Sequence, residues 1–199
     1  MFHTHPTTTA ILKKSMKTIY HTEYHHVAHF SSGGFAVTDK LRIFWTGDVS
    51  GVSTLPTSKG LCFPNINLVI PVKFKNQVSF NFNKDDLRAF KAFLQVAKLN
   101  SYNKPCRVQI KPSSIVFNMD STETNCTTSA TLQMIANTEG LQSLIALEFN
   151  LNFEYLTDFL FGIDVIEEFN TVNLKFNEPE KLVVFECKGY NYLLSLLKD

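Results

Sequence analysis

Between Val78 and Phe82 apolar residues alternate with Ser79 and Asn81, the period-two pattern of a strand with one buried face. The period then changes. Leu87, Phe90, Leu94 and Ala97 recur at helical spacing behind Asn83, which stands where an N-cap belongs, and Asp85 and Asp86 suit the dipole of the first turn. This pattern predicts a helix to about Leu99, ended by Asn100, Ser101, Asn103 and Pro105. Strand-like runs follow over Cys106 to Ile110, Ser114 to Met119, Thr127 to Ala136 and Leu144 to Asn150. A second helix, Phe153 to Ile163, is capped by Asn152 and apolar on one face through Leu156, Phe159 and Leu160; Val172 to Phe176, Val183 to Cys187 and Tyr190 to Leu194 complete the set. The order is strand, helix, three strands, given twice. Residue identity between the halves is weak, so the repeat rests on element order. Short helices among mainly antiparallel strands place the chain in the α+β class, with helices gathered on one side of the sheets.

The N-terminal part reads differently. Ile11, Leu12, Ser15 and Met16 predict a short helix over Thr7 to Lys17, with Lys13, Lys14 and Lys17 on its solvent side. Tyr24 to Phe30 and Phe35 to Trp45 are aromatic and β-branched, separated by Ser31-Ser32-Gly33-Gly34, which predicts a hairpin; a second turn falls near Asp39-Lys40. Thr46 to Gly60 reads as a loop, and Phe63 to Val72 as extended chain between Pro64 and Pro71. A boundary near Lys73 to Val78 divides the chain into residues 1–77 and 78–199.

Composition narrows the functional classes. With 199 residues and 44% hydrophobic side chains the chain can bury a core without disulfides or metal, and eighteen phenylalanines against one tryptophan read as core filling. Cys62, Cys106, Cys126 and Cys187 show no C-x-x-C spacing, no signal peptide precedes them, and no apolar run approaches the ~20 residues of a membrane helix, so a reduced, cytoplasmic setting is expected. Nineteen basic and eighteen acidic residues leave a net charge of +1, so any nucleic-acid contact depends on charges sorted onto one surface. All six histidines, His3, His5, His21, His25, His26 and His29, lie near the N-terminus, yet His25 and His29 share one strand face with His26 on the other and nothing completes a four-ligand set. A metal-dependent hydrolase built on them is the competing class; no metal and no cofactor are expected. Gly33-Gly34 lacks phosphate-loop context, no G-x-S-x-G or H-E-x-x-H occurs, and Asp85-Asp86 and Glu167-Glu168 are adjacent rather than facing, so no catalytic residue is assigned and an enzyme is not expected.

Three segments carry a family resemblance. Ala36-Val37-Thr38-Asp39-Lys40-Leu41-Arg42-Ile43 resembles the A-T-D-G-H-R-L hairpin of the bacterial DNA sliding clamps, the β subunits of the replicative polymerase, with Lys40 and Leu41 in place of Gly and His. Phe63-Pro64-Asn65-Ile66-Asn67-Leu68-Val69-Ile70-Pro71 is similar to the F-P-D-Y-x-x-V-[IL]-P segment that closes the family's middle domain. Phe149-Asn150 with Tyr155-Leu156 resembles the helix entry of the last domain, and the likeness continues to Tyr190-Asn191-Tyr192. Residues 78–199 thus resemble one complete clamp domain, the family's third, and residues 1–77 half of a middle domain plus its closing segment. Such shortening is in keeping with a phage-encoded member.

The resemblance implies a DNA-clamp fold and a non-enzymatic processivity factor, self-associated into a ring around double-stranded DNA and tethering a polymerase through a peptide pocket. Family helices line the hole, so Lys84, Arg88, Lys91 and Lys98, which share one helical stripe, together with Lys13, Lys14 and Lys17, would meet phosphates without reading sequence. Carried over in the same way, the pocket for clamp-binding peptides would use Thr38, Arg42, Ile43, Pro64, Val69, Leu193, Leu194, Leu196 and Leu197. The competing reading within this fold is a non-ring adaptor or decoy that holds replication or transcription proteins.

Overall fold

A computed structural model describes residues 26–29, 35–38, 41–47, 69–71, 73–100, 105–121, 126–135, 147–163, 170–177 and 182–197. Strands β1 (His26–His29), β2 (Phe35–Thr38) and β3 (Arg42–Thr46) come first. Two units follow: β4 (Asn76–Phe82), α1 (Lys84–Asn100), β5 (Cys106–Lys111), β6 (Ser114–Asp120), β7 (Thr127–Gln133), then β8 (Leu147–Leu151), α2 (Phe153–Ile163), β9 (Asn170–Phe176), β10 (Leu182–Cys187), β11 (Tyr190–Ser195). The duplicated strand, helix, three-strand order is therefore present as predicted.

Both helix starts obey the capping logic. The Asn83 side-chain oxygen accepts the N–H groups of Asp85 and Asp86 at 2.8 Å each, while the Asp86 carboxylate accepts the Asn83 N–H at 3.2 Å, so orphan donors are satisfied reciprocally. Asn152 accepts the Glu154 N–H at 2.9 Å. The turn from β10 to β11 places Lys188 and Gly189 at φ 46° and 80°, the left-handed pair a tight two-residue hairpin requires.

Pairing is antiparallel throughout, and each unit lends its first strand to the other. One sheet runs β1-β2-β3-β11-β10-β9-β4 and the second β7-β6-β5-β8, so β4 pairs with β9 and β8 with β5. Neither unit closes a sheet alone. The N-terminal hairpins extend the second unit's sheet through β3, with Arg42 opposite Leu194, Ile43 opposite Leu193 and Phe44 opposite Tyr192. Each third strand also returns to its own unit's first strand: Met134 bridges Phe80, and Leu197 bridges Asn150 with its N–H 2.9 Å from the Asn150 carbonyl.

Alternation along the strands creates two cores. Phe80, Phe82, Val108, Phe117, Leu174, Phe185, Tyr192 and Leu194 turn inward to meet Phe90, Phe93 and Leu94 of α1 and Leu156, Phe159 and Leu160 of α2. On the opposite face of the larger sheet, Ala36, Ile43, Trp45, Val184 and Leu193 form a smaller cluster under Ile70, Phe74 and Leu182. Val69 departs from the extended reading, being helical, and residues 63–68 lie outside the described residues. β7 ends at Gln133, earlier than expected, because the chain leaves there to bridge β4, and residues 144–146, where β8 was expected to begin, lie outside the described residues. The helix expected over residues 7–17, the loop after Gly47 up to Gly60, and Pro64 lie outside the described residues. Among the described residues no helix is long and apolar enough to cross a membrane.

Candidate functional site

Helix α1 packs on β7 and α2 and leaves a broad solvent face. At 100° per residue, Lys84, Arg88, Lys91 and Lys98 fall within about 80° of one another. Lys84, Arg88 and Lys98 are exposed and Lys91 is half-buried. Arg88 approaches Asp85 at 3.4 Å, but both side chains are largely solvated, so the pair contributes little and leaves the guanidinium open to other anions. A second solvent flank of the same helix, Ala89, Ala92, Val96 and Leu99, is charged only at Asp85 in the first turn and includes the most exposed large apolar side chain described, Leu99 at 84%. Lys13, Lys14 and Lys17 lie outside the described residues, so their relation to this stripe is open.

The residues expected to wall one peptide groove divide between the two faces of the larger sheet. Arg42 and Leu194 are cross-strand partners turned toward the helices, whereas Ile43 and Leu193 belong to the opposite cluster, and Thr38, paired with Ile43, lies on that side. The cause is the pleat: neighbours in a strand point to opposite faces and cannot line one groove. Thr38, Arg42, Ile43, Leu193 and Leu194 are all buried. Val69 and Leu197 reach the surface at 36% and 41%, and Leu196 is half-buried against the main core. Ile70, Phe74 and Leu182 complete the partly covered apolar face around Ile43 and Leu193. The sequence reading omitted them; the outward alternation of Leu182 and Val184 against inward Val183 and Phe185 was the signal for that second face.

Arg42 plays a different part. Its guanidinium forms an ion pair with Asp158 of α2, each side chain 4% exposed, and its Cζ stands 4.4 Å from the centre of the Tyr155 ring. Thr38 donates its hydroxyl proton to the Arg42 carbonyl at 2.7 Å, holding the β2–β3 turn. The cluster ties the N-terminal hairpin to α2 at a seam between sheet and helix. Asp158 was missed in the sequence, although a carboxylate among Leu156, Phe159 and Leu160 implies a buried cationic partner.

Among the described residues two cysteines are buried, Cys106 and Cys187, while Cys62 and the histidines His3, His5, His21 and His25 lie outside the described residues. Burial pushes the Cys106 thiol up to about 12, against a smaller lowering by the backbone near Asn118, and desolvation pushes Cys187 to about 11, so both are protonated and unreactive near neutrality. Among the described residues no group of three His, Cys, Asp or Glu side chains stands close enough to hold a metal.

No family model and no curated protein matches the sequence. Solved structures do match the fold. The DNA polymerase sliding clamp of Caulobacter crescentus superposes with a TM-score of 0.66 over 97% of this chain at 13% identity. The DNA polymerase III subunit beta of Pseudomonas aeruginosa does so at 0.65 over 98% with 11% identity, and the Helicobacter pylori beta clamp, solved bound to a DNA ligase peptide, at 0.65 over 98% with 12%. The chain spans 64% of the Helicobacter clamp and 65% of the Pseudomonas subunit. It has the sliding-clamp fold.

Proposed function

We propose that the chain works as a sliding clamp: a non-enzymatic, self-associating protein of the cytoplasm that surrounds duplex DNA and tethers a polymerase or another peptide-bearing partner. The observation that carries this reading is the stripe of Lys84, Arg88, Lys91 and Lys98 on one solvent flank of α1, in the fold of the bacterial β clamps. A sliding protein needs contacts that attract phosphate without fixing a sequence, and solvated lysines and an arginine supply them. Replacing Lys84, Arg88 and Lys91 with alanine should weaken DNA retention at low salt and flatten its salt dependence by about 0.9 log units per lost phosphate contact, with the circular dichroism spectrum unchanged. Unchanged retention and slope would refute the assignment.

Partner binding is assigned to the face of the larger sheet around Ile43 and Leu193, entered past Val69, with the exposed Leu197 as a second apolar lip. The buried residues shape this surface, and the exposed ones make the contacts. Val69→Asp or Leu197→Asp should weaken binding of a clamp-binding peptide at least tenfold while fold and mass are preserved. Undiminished binding by both variants would remove the pocket from this face. Self-association separates the clamp from a non-ring adaptor: a chain that stays monomeric at micromolar concentration supports the adaptor.

A further inference from the structure

Asn177, the residue after β9, is a buried polar side chain, 8% exposed, that the proposed binding role does not use. Its carboxamide Oδ1 accepts the Lys75 N–H at 2.5 Å, and its Nδ2 donates to the Lys73 carbonyl at 3.1 Å. These are the two bonds that a residue of a neighbouring strand would make with the chain on either side of Phe74. The last backbone pair between β4 and β9 joins Asn76 to Phe176, so the Asn177 side chain carries the ladder on where the backbone leaves it.

What this staple holds is a residue out of alternation. Val78 and Phe80 face the main core, and strict alternation back from Val78 through Asn76 would send Phe74 to that side as well. Instead Phe74 packs against the opposite cluster, which holds Ile43, Trp45 and Leu193. The chain bends at Lys73 and again at Lys75 to bring it there, and the two bonds from Asn177 fall on those bends. Donor and acceptor side by side are what a carboxamide offers; an isosteric carboxylate would set an acceptor against the Lys73 carbonyl.

We infer that Asn177 is a positioning residue for partner binding: it sets Phe74 against the apolar face around Ile43 and Leu193 and so fixes one wall of the surface that a partner peptide meets. Being buried, it acts through Phe74 and makes no contact with the peptide itself. The inference rests on the assignment of partner binding to this face.

Trp45, the single tryptophan of the chain, lies in the cluster against which Phe74 packs, so its emission reports whether that residue is in place. The full chain is compared as parent, Asn177→Asp, Phe74→Ala, the double variant and Asn173→Ala, by Trp45 emission and by titration with the DNA ligase peptide that the Helicobacter pylori clamp binds. Asn173→Ala removes a bond to Ser79, 2.7 Å long, from the same strand and is the control for losing a polar contact alone. Asn177→Asp and Phe74→Ala are each expected to shift the emission to the red and raise Kd at least tenfold, with the circular dichroism spectrum unchanged and the control matching the parent. The double variant is expected to bind no more weakly than Phe74→Ala, because one residue acts through the other. Asn177→Ala, which adds no charge, decides the matter if the aspartate disturbs the fold. A lowered denaturation midpoint with emission and affinity unmoved makes Asn177 structural only, which overturns the inference and leaves the pocket standing. Losses that add in the double variant overturn the action through Phe74. A parent that binds no peptide overturns the pocket and this role together.

Discussion

Helices α1 and α2 begin alike and end in different employment. Both follow a capping asparagine, and both send a leucine and a phenylalanine, Leu87 with Phe90 and Leu156 with Phe159, into the same core. Beyond that they diverge. The 11 residues of α2 include no cation, and its one buried carboxylate, Asp158, locks a strand brought from far away in the chain. The 17 residues of α1 leave two solvent flanks, one cationic and one apolar. The same local grammar thus serves fixation in one unit and leaves surface for partners in the other. What differs is the neighbour: β3 lies against the outer edge of β11, and no described strand pairs along the outer edge of β7.

This contrast predicts a graded set of effects. The largest belongs to the fixed seam, where Asp158→Ala would leave Arg42 buried without its counter-charge and should cost about 3–5 kcal/mol in chemical denaturation. A loss under ~1 kcal/mol would mean that water reaches Arg42 and the seam is looser than its burial implies. Alkaline pH should follow in size and act on both units, since Cys106 lies in the first and Cys187 in the second. Their folded values near 12 and 11 exceed the ordinary 9.0, so the unfolded chain releases these protons first. Stability from this source is constant below about pH 9 and falls as pH rises from there toward 11 and 12. Replacing both cysteines with alanine should flatten that decline, measured by denaturation across the range; the unmodified slope in the double variant would assign it to other groups.

Smaller effects sharpen the comparison of the helix starts. Asn83→Ala and Asn152→Ala should each cost about 1 kcal/mol, with Asn83 the more costly because it serves two backbone N–H groups and takes part in the reciprocal bond with Asp86. Amide exchange in the first turn of each helix would reveal equal losses if that reciprocity contributes nothing. The smallest change is expected on the cationic flank. Arg88→Ala should shift stability by no more than ~0.5 kcal/mol, because its pair with Asp85 is solvated. A larger loss would give the stripe a structural duty in competition with the proposed contact to DNA.

Much of this architecture was legible from local pattern. The alternation of Val78, Phe80 and Phe82, the apolar stripes behind Asn83 and Asn152, and the doubled order of elements belong to short-range periodicity, which the backbone geometry of strand and helix imposes directly. Short-range too was the cation stripe of α1, since residues three, four and seven apart share a helix face whatever surrounds it. The exchange of β4 and β8 between units and the addition of β3 to β11 were decided only by tertiary structure, whereas the split of Arg42 from Ile43 and of Leu194 from Leu193 across two sheet faces follows from the pleat alone. Pairing between strands depends on which edges meet in space, and burial of Arg42 became tolerable only because the fold set Asp158 and Tyr155 against it. A sequence states what each side chain offers along its own element; the partner across a sheet seam is chosen by the packing of the whole chain.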